Sequence, residues 1–162
     1  MSLLIRQAER QDIFQIHKLV SSASIDDESL LNRGLADIAA HIDTFLVGEV
    51  DGALVGCVAI HPYSPRLCEV RSQVIDTRFQ GCGWGSVILR AAVEAGLARY
   101  SCVWIDAKKP DYFLRTFGGR AISRFRMPAG VLFKKLRWVF GQERDRWIPS
   151  LTGRFTLLEM KA

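Results

Sequence analysis

Arg78-Phe79-Gln80-Gly81-Cys82-Gly83-Trp84-Gly85-Ser86 sets three glycines at alternate positions, and the alanine-rich run from Val87 to Ala98 follows at once. Alternate glycines leave little side-chain bulk along the turn, so its backbone N–H groups can line up and face one direction. The run after it reads as a helix, with Val87, Ile88, Ala91, Ala95 and Ala98 on the apolar face and Arg90 and Glu94 as an outer charge pair. A turn that opens into a helix N-terminus favours an anion, because unpaired amides and the helix dipole both present positive charge there. The spacing is neither the G-x-G-x-x-G dinucleotide fingerprint nor the Walker loop. The stretch is expected to cradle a pyrophosphate, with an ordinary glycine-rich turn as the alternative.

A chain of 162 residues fits a single domain, residues 1–162, that can bury a core without disulfides or a structural metal. Hydrophobic residues at 49% and charged residues at 24% are the balance of a globular protein, which excludes a disordered chain. No apolar run approaches the roughly eighteen residues of a membrane span, and Met1-Ser2-Leu3-Leu4-Ile5-Arg6 reaches a charge too early for a signal peptide. A cytoplasmic protein with no membrane partner is expected. Cys57, Cys68, Cys82 and Cys102 show no C-x-x-C spacing and no nearby histidine set, so reduced, mostly buried thiols are expected and no metal site. The net charge of +5 suits an anionic ligand but would also suit nucleic acid.

Around the glycine turn the other elements can be placed in order. Leu3 to Ala8 reads as a first strand, and Ile13, Ile16 and Val20 share one face of a first helix after Asp12. His17 lies in that helix without partners for a metal or catalytic role. Residues 21–34 read as polar and irregular, and Leu35, Ile38 and Ile42 mark a second short helix. Phe45–Val50 and Ala53–Ile60 are strands joined by Asp51-Gly52, the pair a type I′ hairpin prefers. His61-Pro62-Tyr63-Ser64-Pro65 is expected to break the run, and a fourth strand to span Leu67 to Ile75. Ser101–Ile105 is a fifth strand, Pro110 starts a helix that Gly118-Gly119 stops, and strands near Arg120–Arg124 and Phe155–Met160 complete the chain.

Gln80-Gly81-Cys82-Gly83-Trp84-Gly85 resembles the Q/R-x-x-G-x-G/A motif of the GCN5-related N-acetyltransferases, and the order β-α-α-β-β-β-α-β-α-β-β is similar to theirs over nearly the whole chain. The resemblance implies an α/β (α+β) fold: a mixed, mostly antiparallel sheet of about seven strands, splayed between the fourth and fifth, with about four flanking helices. It implies acetyl-CoA (coenzyme A) as cofactor, its pyrophosphate on Gln80, Gly81, Cys82, Gly83, Trp84, Gly85 and Ser86. By position, the backbone amides of Gln73, Val74 and Ile75 on the fourth strand would hold pantetheine and polarise the thioester carbonyl. Alignment and oxyanion stabilisation dominate such a transfer, so those amides matter more than any side chain.

Glu69 is the candidate general base, since related enzymes often place a carboxylate early in this strand and burial would raise its pKa; a solvent-facing strand glutamate is the alternative. The tyrosine that often protonates the leaving thiolate has Leu114 in its place, and Tyr112 points to a different helix face.

Within the family, Gly56-Cys57-Val58-Ala59-Ile60-His61-Pro62-Tyr63, Glu69-Val70-Arg71-Ser72 and His41-Ile42-Asp43-Thr44-Phe45 resemble runs of the acetyltransferase domain of N-acetylglutamate synthases. That resemblance implies a substrate wall with Arg33 and Arg71, and an Arg154-Phe155-Thr156 segment in which Arg154 and Thr156 hold a carboxylate. The departures are Gln80 where arginine is common, Asp106-Ala107 where apolar residues or threonine are common, and an extended basic, aromatic segment at about 125–150. For that segment a lid over the acceptor is the first reading, a homodimer contact through Trp138, Phe140 and Trp147 the second, and nucleic-acid binding the least favoured.

The expected function is acetyl-CoA-dependent N-acetylation of a small, carboxylate-bearing amine such as an amino acid, by direct transfer in a ternary complex. Acetylation of a protein or peptide amine is the enzymatic alternative, and a non-catalytic acyl-CoA-binding module is the other.

Overall fold

The structure is a computed structural model that describes residues 2–26, 33–107, 110–123, 127–140 and 156–161. In chain order the elements are β1 (Leu4–Gln7), α1 (Ile13–Asp26), α2 (Leu35–Ala40), β2 (Phe45–Val50), β3 (Ala53–Ser64) and β4 (Leu67–Ile75). They continue with α3 (Trp84–Arg99), β5 (Cys102–Ala107), α4 (Pro110–Phe117), β6 (Arg120–Ile122), α5 (Ala129–Phe140) and β7 (Thr156–Lys161).

Seven strands form one sheet in the order β1-β2-β3-β4-β5-β7-β6. Every neighbouring pair is antiparallel except β4–β5, which is parallel because α3 carries the chain back across the sheet between them. At the Asp51-Gly52 turn both residues have positive φ, 49° and 81°, the conformation a type I′ hairpin demands.

The central feature is a split. β4 and β5 pair from Leu67–Cys102 to Val70–Ile105, then part, although β4 runs on to Ile75. A bulge accompanies the split: Cys57 of β3 faces Val74 while Ala59 faces Arg71, so β4 carries an extra residue there, and Ser72 sits in the left-handed region at φ 54°. A bulge bends and twists its strand, turning β4 away from β5.

Side chains alternate across the sheet into separate clusters. On one face Val58, Cys68, Val70, Val103 and Ile105 pack under α3 and α4. On the other, Phe45, Val47, Cys57 and Ala59 pack under α1 and α2, through Ile16, Val20 and Ile38. Tyr63, Leu67, Trp104 and Leu157 form a third cluster with Val131 of α5.

Several expectations differ from the structure. α1 runs on through residues 21–26, expected to be irregular, because Ser24 is buried and Ala23 packs on the core. β3 continues through Pro62 instead of breaking; β2 ends opposite Ala59, so one flank of β3 has no strand to bond at the proline. The buried face of α3 is Ile88, Leu89, Ala92, Val93 and Gly96, turned from the expected one, with Val87 at 49% exposure. Gly96 explains the rotation: a Cβ there would lie 2.9 Å from Val103 Cγ2, so this is where helix and strand touch. Arg90 lies over the Phe117 ring, 5.4 Å from its centre, instead of pairing with Glu94. α5 is a fifth helix, inside the extended segment 125–150.

Candidate active site

The glycine turn stands where β4 hands over to α3. Gly81 and Gly83 have φ of 83° and 80°, a region that excludes most side chains, and Gly83 is the residue before the first turn of α3. Among the described residues, the amides of Gly81, Cys82, Gly83, Trp84 and Gly85 donate to no protein acceptor. Unclaimed amides at a helix N-terminus are a site for an anion, so the residues present fit a pyrophosphate.

Gly85 has a different reason to be glycine. A Cβ there would stand 3.2 Å from Ile75 Cγ1 and 3.6 Å from Gln73 Nε2. Gln73 Nε2 donates to the Gly85 carbonyl at 2.8 Å, tying the far end of β4 to the first turn of α3. The Gln80 amide turns back to donate to the Ile75 carbonyl at 3.3 Å. Asp76 accepts from the Arg78 backbone at 3.0 Å and from its Nη2 at 2.7 Å, which holds the turn's entrance and keeps the Asp76 carboxyl below the usual range. A cavity of about 470 Å³ opens beside the turn, between Lys18 and Leu19 of α1 and Gln73, Ile75, Thr77 and Gln80. Cys82 is an exposed free thiol and Trp84 stacks near Phe79, ring centres 5.4 Å apart.

Glu69 lies at the other end of β4, just before the split, and is 2% exposed. Tyr63 donates its hydroxyl to Glu69 Oε2 at 2.6 Å. Lys135 of α5 reaches Glu69 Oε1 at 2.5 Å and Asp106 Oδ2 at 2.7 Å. The solvent-facing alternative for Glu69 is therefore wrong. Burial alone would lower the Lys135 ammonium, but the charges of Glu69 and Asp106 outweigh it and the net shift is upward. Burial and the Glu69 charge push the Tyr63 phenol upward as well.

Arg33, two residues before α2, is completely buried. Its Nε donates to Asp37 at 2.6 Å and its guanidinium lies 4.8 Å from the centre of the Phe45 ring. Nη1 and Nη2 of Arg33 have no hydrogen-bond partner among the described residues. Burial would raise the Asp37 carboxyl, but the Arg33 partner wins and the net shift is downward. Arg71, on the same strand face as Glu69, is close enough to Glu69, Tyr63, Arg33 and Asp37 to interact electrostatically. His61, opposite Glu69 across the β3–β4 ladder, has its ring pulled down to about 3 by burial first and by Arg71, His41 and Arg33 after it.

Two regions thus lie along β4, the turn at its end and the charged cluster at its beginning, with Gln73, Val74 and Ile75 between them beyond the split. Thr156 starts β7 opposite Ala107, while Arg154 lies outside the described residues. Leu114 packs partly buried against the core under α3.

Sequence reasoning gave no role to Tyr63, Asp106 or Lys135. Asp106 was visible only as a departure from the family pattern, and its pairing with Lys135, 29 positions on, has no local signature. Tyr112 lies on a different helix face from Leu114, yet its hydroxyl donates to Ser86 Oγ at 2.5 Å, so α4 brings it against the first turn of α3.

Known proteins resemble this chain in sequence or in fold. An uncharacterised N-acetyltransferase of Chlorobaculum tepidum is 28% identical over 88 residues, 54% of this chain and 56% of that protein, so the chain spans about half the length of this curated relative. The Mycobacterium tuberculosis protein Rv2747, solved in complex with CoA and NLQ, superposes with a TM-score of 0.76 at 20% identity, covering 98% of this chain and 99% of that one. N-acetylglutamate synthase from Neisseria gonorrhoeae, solved with coenzyme A and N-acetyl-glutamate, gives a TM-score of 0.76 at 19% identity over 99% of this chain and 35% of its own. These two likenesses speak for the fold. Residues 10–117, which hold α1, the split strand β4, the glycine turn and α4, match the acetyltransferase (GNAT) family, and the chain belongs to that family.

Proposed function

We propose that this chain is an acetyl-CoA-dependent N-acetyltransferase whose acceptor is the amino group of a small, carboxylate-bearing molecule such as an amino acid, with direct transfer in a ternary complex. Acetyl-CoA, bound, supplies an activated acetyl thioester. The amides from Gly81 to Gly85 hold the pyrophosphate, and those of Gln73, Val74 and Ile75, past the end of the β5 ladder, hold pantetheine and polarise the thioester carbonyl. Glu69 takes the acceptor's proton, and Asp106 beside it favours an ammonium arriving there. Arg33 and Arg71 receive the carboxylate, joined by Arg154 and Thr156.

The observation that carries the acceptor class is the buried Arg33 guanidinium, whose two Nη groups have no partner among the described residues, near the half-buried Arg71. An unpaired buried guanidinium is costly, and a carboxylate that accepts both N–H pairs removes the cost. In a zwitterion the carboxylate would meet Arg33 and Arg71, and the ammonium the Glu69 and Asp106 carboxylates that Lys135 now joins.

A screen of CoA release over amino acids, polyamines and peptides tests this. Turnover confined to molecules with a free carboxylate near the amine supports it; turnover of peptides or polyamines alone overturns the acceptor class. The rival reading, an acyl-CoA-binding module without catalysis, draws on Leu114 at the usual acid's place and on Lys135 holding Glu69. Acetyl-CoA binding without turnover across the whole panel would favour it.

A further inference from the structure

Lys135 lies in an unusual position for a helix lysine. Its Nζ joins Glu69 of β4 at 2.5 Å to Asp106 of β5 at 2.7 Å. Those two residues flank the place where the strands separate, since Val70–Ile105 is the last pair of the ladder and Asp106 is the first β5 residue beyond it. A primary amine therefore spans the mouth of the opening, in contact with the carboxylate assigned as proton acceptor. α5 is anchored around it by buried Val131 and by Lys134, whose Nζ donates to the Tyr63 carbonyl at 2.8 Å. Its Nζ thus sits on the two carboxylates that would receive an external amine.

We propose that Lys135 is a self-acetylation site: with donor substrate bound and no acceptor present, its Nζ takes the acetyl group. This rests on the reading of Glu69 as base. Both carboxylates favour the ammonium at rest, so the step waits on transfer of one proton from Lys135 to Glu69, after which the neutral amine attacks the thioester carbonyl carbon. The N–C bond forms, the C–S bond breaks, and the second proton leaves nitrogen for the departing thiolate. The products are acetyl-lysine and CoA thiol, and Glu69 returns its proton to solvent. The acetamide carries no charge and a single N–H, so it cannot answer both Glu69 and Asp106, and α5 loses both ion pairs to the sheet.

The test is site-resolved mass spectrometry of the full chain incubated with acetyl-CoA and no acceptor, with exposed Lys161, outside the cavity beside the glycine turn, as the internal reference for chemical acetylation. Lys135 should gain acetyl at least about tenfold faster than the reference, since positioning within a site multiplies an encounter rate. The rate constant should not change with protein concentration. Glu69→Gln should slow Lys135 by roughly a hundredfold while leaving Lys161 as it was. Lys135→Arg, which keeps a cation on both carboxylates, should lose the modification, and acetyl-CoA binding by both variants verifies that they fold. Acetylation of Lys135 no faster than the reference, or equal in Glu69→Gln, or rising with protein concentration, overturns the proposal. CoA release with the acceptor panel is read separately, so failure of self-acetylation is distinct from failure of the proposed external reaction.

Discussion

At the scale of single residues, the glycines of the turn divide by what they do. Gly83 is required by its φ of 80°, whereas Gly85 is required by the closeness of Ile75. A non-glycine residue in the left-handed region costs about 1–2 kcal/mol and here would move the amides off the anion. Gly83→Val is therefore expected to weaken acetyl-CoA binding about tenfold or more by calorimetry, while Gln80→Ala, whose side chain only turns back to Ile75, changes it by less than about threefold. Comparable effects would contradict a cradle built from backbone. Arg33 is tested on the other substrate. Arg33→Met is expected to raise the acceptor KM by about 10–100-fold, the worth of a charge-assisted bond, with acetyl-CoA affinity kept. An acceptor KM that stays put would remove Arg33 from the pocket. Neither its burial nor the lack of a partner for its Nη groups among the described residues could be read from Asn32-Arg33-Gly34, since both depend on Arg33 packing over Phe45.

At the scale of elements, α3 and α5 show why some segments were legible and others not. α3 was legible because its turn, its small residues and its length all agree, yet its rotation was not, because alanines on several faces leave periodicity ambiguous. Contact at Gly96 decides it. Gly96→Val is expected to destabilise the fold by about 1–3 kcal/mol through overpacking against Val103 and Cys68, seen as a lower urea midpoint with an unchanged slope. No loss would mean that α3 does not sit on β5 as described. α5 reads in sequence only as a basic, aromatic stretch, and its place beside the charged cluster depends on Val131, Lys134 and Lys135 reaching residues about 66 to 71 positions earlier. Trp138, Phe140 and Trp147, the anchors of the dimer reading, lie outside the described side chains.

At the scale of the whole molecule, the buried charges couple stability to pH. His61 is held neutral, its folded value pulled to about 3 by burial and neighbouring cations, against an unfolded value near 6.5. The unfolded chain therefore binds a proton below pH 6.5 that the folded chain refuses, so stability is full above that pH and falls as pH drops towards 3. The window from about pH 6.5 to 5 belongs to the histidine range and lies above that of the carboxylates. Unfolding in urea is expected to give a midpoint that declines from pH 7 to pH 5, and His61→Gln should flatten that slope. An equally steep decline in the variant would place the coupling elsewhere.

The sequence by itself determined the local pieces: the type I′ hairpin at Asp51-Gly52, the span of β4, the helix between Pro110 and Gly118, and a glycine turn shaped for an anion. Each is set by backbone preferences of a few adjacent residues, which is why a short motif and an element order sufficed to suggest the family. Only the tertiary structure decided the rest. The bulge at Ser72 and the end of the β5 ladder open the split, while Lys135 meets Glu69 and Asp106 from a helix far along the chain. Those contacts arise from long-range packing and electrostatics, where partners separated by dozens of residues leave no periodicity to read.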